Sequence, residues 1–229
     1  MAPQRTILKR RQSMTMLLCI ALLLPLVSHA QKEVANKRLI ATLDTVFEYD
    51  QKYRLMVDST ERKYGPQSAK MNALWATIKK YDATNIKKVC GILDKYGWPS
   101  PDVVGEEGSS ALFIVIQHAD IKIQDKYLPV MRKAVKSNNA SMAQLALLED
   151  RVAIKHGRKQ IYGSQITTDD SGSFLAPLED PEHVDGRRAE AGLPPLAEYL
   201  RRFNMTWNPE AYKKQLPGIE KRQSNLEYK

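Results

Sequence analysis

Apolar residues recur every three or four positions along most of the chain, which is the period of an amphipathic helix. Between positions 33 and 62 they fall at Leu39, Leu43, Val46, Phe47, Tyr53 and Val57, one stripe of a long helix. Gly65-Pro66 ends it and opens a second, striped by Met71, Leu74, Trp75 and Ile78. Asp82 is placed to cap a third helix carrying Ile86, Val89, Cys90, Leu93 and Tyr96, and Gly97 and Pro99 are placed to stop it. Residues 31–97 are therefore expected as a segment of three antiparallel helices.

Residues 98–110 hold prolines and glycines and are expected as loop. The run Ala111-Leu112-Phe113-Ile114-Val115-Ile116 is apolar on all sides, the pattern of a central, buried helix. Tyr127, Leu128, Met131, Ala134 and Val135 mark another amphipathic helix, with Pro129 tolerated if that helix starts near Asp125. Ser141 and Gln144 form a capping box that opens a helix running to His156 and Gly157. The period then changes. Residues 159–166 are expected as a short strand, with residues 173–176 as its hairpin partner across a turn-rich stretch. Pro181 begins a short helix, Gly192-Leu193-Pro194-Pro195 breaks the chain, and residues 196–203 form a last helix. Residues 206–229 are polar and weakly patterned, and are expected as a loose tail. The fold class is mainly α: an antiparallel helical bundle with one short β-hairpin near the C-terminal third, its helical domain with the hairpin spanning 98–205.

The first thirty residues read differently. Arg5, Lys9, Arg10 and Arg11 precede an apolar stretch from Leu17 to Val27, and Ser28-His29-Ala30 offers small residues for cleavage before Gln31. Eleven helical residues span about 16 Å, against a bilayer core of about 30 Å. A cleaved secretory signal over 1–30 is therefore expected, with no stable membrane span afterwards. These four bases also account for much of the formal charge of +9; without them the chain carries about +5, spread along its length. Nucleic-acid binding would need clustered bases with interleaved aromatics, and that pattern is missing. Cys90 is the one cysteine of the expected mature chain, so no disulfide forms within it.

Three polar groups interrupt apolar helix faces and are the candidate chemistry. Gln117-His118-Ala119-Asp120 ends the most buried helix: His118 is a candidate general base, and Asp120 a candidate ligand-binding group if the helix stops there. Glu149-Asp150-Arg151 fans over about 200° of a helix that is apolar nearly all round. At least one of the three must point into protein, and Glu149, in phase with Leu145 and Val152, is the expected one. Glu149 and Asp150 are candidate acids, and Arg151 a candidate anion clamp. On the expected strand, Gln160, Tyr162 and Ser164 alternate to one side, and Gln160, Tyr162, Gln165 and the later Arg187 complete the candidate ligand-binding set. Each also has a bland structural reading as an internal hydrogen bond or ion pair. No metal spacing, phosphate loop or nucleophile elbow is present, so no metal and no cofactor are implied.

From about Trp98 to Tyr199 the chain resembles a bacterial family known only as a domain of unknown function. The resemblance rests on Gly105-Glu106-Glu107-Gly108, Gln117-His118-Ala119-Asp120, Glu149-Asp150-Arg151-Val152, the stretch Gln160 to Gln165, and the block Val184 to Leu196. It implies a bacterial source and a periplasmic or extracellular location, and it carries no activity. Its blocks coincide with the polar groups picked out on physical grounds, which points to one shared polar pocket. Two functions follow. The first is a ligand-binding or interaction module of the cell envelope, partnered by a small molecule or an envelope protein. The alternative is a hydrolase using His118 with acidic and arginine partners.

Overall fold

A computed structural model describes Glu33 and residues 36–227. The expected signal peptide, residues 1–30, lies outside the described residues. The chain divides into two compact units, Met1–Thr42 and Leu43–Lys229. Residues 36–42 of the first are helical. All elements named below lie in the second unit, which also spans the boundary expected at residue 97.

Helix α1 (residues 43–54) puts Leu43, Val46 and Asp50 on one buried face at spacings of three and four. The helix expected to run to residue 62 breaks at Leu55-Met56 and restarts as α2 (Val57–Tyr64). Ser68 caps α3, its side chain accepting from Met71 N at 3.1 Å. Helix α3 (Ala69–Tyr96) runs without interruption through Asp82, which was expected to start a new helix. Asp82 instead takes a two-pronged ion pair from Arg54 of α1, both N–O distances 2.9 Å. The stop at Gly97 is as expected: φ is 68° and its N–H donates to Leu93 O.

Helix α4 (Pro101–His118) begins inside the expected loop. Pro101 sits at the first helical position, where its missing N–H costs nothing, and buried Val104, Gly108, Ala111, Leu112 and Val115 continue the helical period. The helix is kinked at Gly105 (φ 74°). Gly108 allows α1 and α4 to approach closely: a Cβ there would meet Val104 Cβ at 3.1 Å and Leu43 Cδ1 at 3.3 Å. Helix α5 (Ile121–Lys136) starts four residues before the expected Asp125, because Asp120 caps it by accepting from Ile123 N at 3.0 Å. Helix α6 (Met142–Lys155) is capped by Ser141, as the sequence indicates.

The C-terminal third holds the expected hairpin, displaced along the chain. Strands β1 (Ile166–Asp169) and β2 (Gly172–Leu175) pair antiparallel, Ile166 opposite Leu175. A 3-10 turn (Pro181–His183) leads into α7 (Val184–Glu190), followed by α8 (Leu196–Arg201). The expected loose tail is instead a helix, α9 (Pro209–Glu227). Its Tyr212 and Ile219 are buried with Phe174, Leu178, Val184 and Leu196 in a second core under the hairpin. Arg222 fastens the helix to β1 through Asp169, at 2.8 and 2.6 Å, and lies over the Phe174 ring. That pairing holds the Asp169 carboxyl down at about 2. The segment misled sequence reading because its polar surface outweighs a few well-placed apolar anchors. Among the described residues no helix is long and apolar enough to cross a membrane.

Tyr212 gives the test of this docking. Its buried hydroxyl accepts from Leu178 N and donates to Ala176 O, each at 2.8 Å. Removing it strands the Leu178 N–H, while Ala176 O keeps its bond from Gln160, so Tyr212→Phe is expected to cost about 1–3 kcal/mol. Urea unfolding measures it, and a loss under about 0.5 kcal/mol, within ordinary surface scatter, would mean that α9 is held by other contacts.

Candidate functional site

The stretch from Gln160 to Gln165 is not a strand. Gln160 makes one isolated bridge to Leu178, and residues 161–165 are irregular. Irregular backbone kept from water must find partners for its N–H and C=O groups. Asp150, fully buried on α6, supplies three of them. Its Oδ1 accepts from Ile161 N (2.7 Å) and Tyr162 N (3.0 Å), and its Oδ2 from Ser164 N (2.9 Å). Burial raises the Asp150 pKa above the usual carboxylate range, against the pull of these donors. Gln160, also fully buried, accepts from Gln165 N at 2.7 Å and donates to the carbonyls of Gln165 and Ala176.

Arginines from α7 take up the loop's carbonyls. Arg188, 1% exposed, donates to Tyr162 O (2.7 Å) and Pro194 O (2.6 Å) and stacks on the Tyr199 ring. Arg187 donates to Ile161 O, Glu179 O and Asp180 O. Tyr199 Oη donates to Ser164 O at 2.8 Å. Gly163 turns the loop at φ 71°, and a Cβ there would meet Leu196 Cδ1 at 3.1 Å. The EDR, QIYGSQ and VDGRR…GLPPL segments are thus one device that fixes six residues of backbone. The buried member of the acidic pair is Asp150, not the expected Glu149. Glu149 lies at the edge of the face and pairs with Arg132 at 2.8 Å.

Arg151 is the link between this loop and α4. Its Nε donates to Gln165 Oε1 and its Nη1 to Gln117 O, both at 3.1 Å. Gln124 closes the same helix end by donating to the carbonyls of Gln117 and Ala119. Arg151 and Gln165 border a cleft of about 600 Å³ between α6, β1 and α9. Lys155, Thr167, Thr168 and Gln223 add polar groups to its wall, and Ile154, Ile166 and Leu226 add apolar surface.

His118 stands apart from this assembly. Its Nδ1 lies 3.3 Å from Oδ1 of buried Asp50, and Arg54 joins the same carboxylate at 3.4 Å while holding Asp82. Burial raises the pKa of Asp50, but His118, Arg54 and Gln51 outweigh it and hold the carboxyl below its ordinary value. Asp50 and Arg54 escaped sequence reading because they lie in an earlier helix with no local motif. The expected single pocket is therefore two places: His118 with Asp50 on one hand, and Asp150, Arg151, Gln160, Gln165 and Arg187 around the tied loop on the other. Tyr162 contributes backbone to that loop, and its partly buried phenol has its pKa raised by burial. Asp120 is an exposed cap and Glu149 a helix–helix ion pair, so neither joins a site. Among the described residues, Asp180, Glu182 and His183 are close enough to share a metal, but all are exposed and already bonded to one another, to Arg187 or to Lys213.

Fold and site together define a mainly helical protein with one hairpin, built round a tied loop that forms one side of a mixed polar and apolar cleft. The chain belongs to a family of unknown function, DUF6624, which matches residues 38–211. That span reaches well before Trp98, so it takes in α1 to α3 and the Asp50–His118 contact. No curated protein and no solved structure matches the chain.

Two measurements separate scaffold from chemistry here. Asp150→Ala strands three backbone donors and is expected to cost about 4 kcal/mol, whereas Asp150→Asn, which keeps an oxygen for Ile161 and Tyr162, costs about 1–2 kcal/mol. Equal losses for the two variants would mean that the carboxylate does not hold the loop. For Asp50 the folded-state pKa is depressed, so its stabilisation is complete above the ordinary value of 3.8 and is lost as pH falls through the lower folded value. Stability measured against pH should therefore fall below about pH 4 more steeply in the parent than in Asp50→Asn; superimposable curves would remove the pairing.

Proposed function

We propose that this protein is an exported ligand-binding module of the bacterial cell envelope, acting in the periplasm or outside the cell. The observation that carries the reading is the cleft beside Arg151. Its volume of about 600 Å³ falls in the range of small-molecule sites, roughly 300–1,000 Å³. Its wall mixes aliphatic side chains with a few fixed polar groups, the usual make-up of such sites. The tied loop supports it: Gln165 is held at both its backbone and its side chain, so that wall is preorganised rather than shaped by the ligand. Export rests on the basic, apolar and small-residue pattern of positions 1–30.

A hydrolase centred on His118 is the second reading, favoured by the Asp50–His118 contact, since a carboxylate that orients the ring is what a general base requires. It loses Asp150, Glu149 and Arg187, which are engaged elsewhere, and Arg151 bonds Gln165 and Gln117 O rather than His118. The same preparation tests both readings. Protein expressed in a bacterial host and recovered from the envelope fraction is expected to begin at Gln31 by intact mass and to release a small molecule on denaturation. Uncleaved protein in the cytoplasm would end the export proposal. His118→Ala is expected to lower thermal stability and leave the released molecule unchanged; chemical alteration of that molecule by the parent but not by the variant would favour the hydrolase.

A further inference from the structure

The cleft that carries the ligand-binding reading also limits the ligand's chemistry. Three groups on its wall can donate hydrogen bonds, and none has a partner among the described residues: Nη2 of Arg151, Nζ of Lys155 and Nε2 of Gln223. Every other polar side chain there is engaged. Gln165 bonds Arg151, Leu147 O and Ser164, Thr167 bonds Gln223 Oε1, and Thr168 bonds Ser173. The polar atoms of the wall left without a partner among the described residues are therefore all donors, while each of its side-chain oxygens already makes a hydrogen bond.

The charges point the same way. Arg151 and Lys155 are four residues apart on α6, so they stand on one face a turn apart. No carboxylate lines the cleft among the described residues. The nearby acids in sequence are committed: Glu149 to Arg132, Asp150 to the loop amides and Asp169 to Arg222. Among the described residues Arg151 makes no ion pair, and burial lowers its pKa, so its charge is held at a cost that no described acid offsets. The cleft on the other side of α6 shows the contrast. Arg132, Arg158 and Lys159 line it together with the carboxylates of Glu149 and Glu179, and Glu149 pairs with Arg132.

We infer that the Arg151 cleft takes a small molecule bearing an oxyanion head, a carboxylate or a phosphate, on an apolar body. The inference rests on the ligand-binding reading above. The unpartnered Nη2 of Arg151 offers two N–H donors to an oxyanion, and the Lys155 ammonium adds a second positive charge. Ile154, Ile166 and Leu226 give the apolar body its surface.

Four probes test this on the ¹⁵N-labelled full chain, with the amides of Thr167 and Thr168 followed by NMR: hexanoate, hexyl phosphate, 1-hexanol and inorganic phosphate. At least one of hexanoate and hexyl phosphate is expected to bind about tenfold more tightly than hexanol, with affinity falling as salt rises. Which of the two binds better separates carboxylate from phosphate. Lys155→Gln, an exposed change outside the loop network, is expected to weaken that binding roughly threefold to tenfold with the spectrum otherwise intact. Hexanol binding as tightly as the anions, with Lys155→Gln silent, overturns the oxyanion head and leaves the cleft a binding site. Inorganic phosphate binding as tightly as hexyl phosphate overturns the apolar body. If no probe moves the Thr167 and Thr168 amides, the inference fails, and the ligand-binding reading then stands or falls on the released molecule alone.

Discussion

The C-terminal half of the protein is organised by one carboxylate. Asp150 projects from α6 into protein, and its two oxygens gather the amides of Ile161, Tyr162 and Ser164. A loop without regular structure would otherwise carry those amides into a dry interior, at a cost of about 1–3 kcal/mol each. With the amides fixed, the carbonyls face the other way, where Arg187, Arg188 and Tyr199 receive them. The α7 and α8 helices are thus attached to α6 through six residues of backbone rather than by side-chain packing alone. Buried polar networks of this kind are stabilising when every member is satisfied, and the loop comes close to that condition.

One member of the network is different. Arg151 holds the loop and the end of α4 with two of its three nitrogens, and its charge meets no acid among the described residues. A protein that needed only a strut there could use a neutral side chain at lower desolvation cost. Together with Lys155 and Gln223 it gives a cleft whose unpartnered polar atoms, among the described residues, are donors. Structure and proposed binding are therefore coupled, since the loop that Asp150 fixes is the one that sets Gln165, and Gln165 sets Arg151. By contrast, the Asp50–His118–Arg54–Asp82 set joins α1, α3 and α4, and its arginine is shared between two aspartates.

Much of this was legible in the sequence. The stripe at Leu43 and Val46, the Ser141 cap and the Gly97 stop depend on neighbours within a turn or two, and each is where the residues indicate. The acid–arginine pair on α6 and the QIYGSQ stretch were recognisable as more than core filling. What misled was local likeness. Gln160 to Gln165 alternates like a strand, but its amides are claimed by Asp150. Residues 98–110 carry the prolines and glycines of a loop, yet Pro101 opens a helix. Residues 206–229 look solvated, yet Tyr212 and Ile219 bury against the hairpin.

The sequence by itself determined the helical class, the presence of one hairpin, and that the EDR and QIYGSQ segments carry buried polar groups, because these follow from spacing along the chain. Only the tertiary structure decided that Asp150 rather than Glu149 turns inward. It likewise decided that His118 meets an aspartate 68 positions earlier, and that Arg151 meets backbone and an amide rather than an acid among the described residues. Those outcomes depend on which distant backbone or carboxylate arrives beside a side chain when the helices pack, and no local period encodes that arrival.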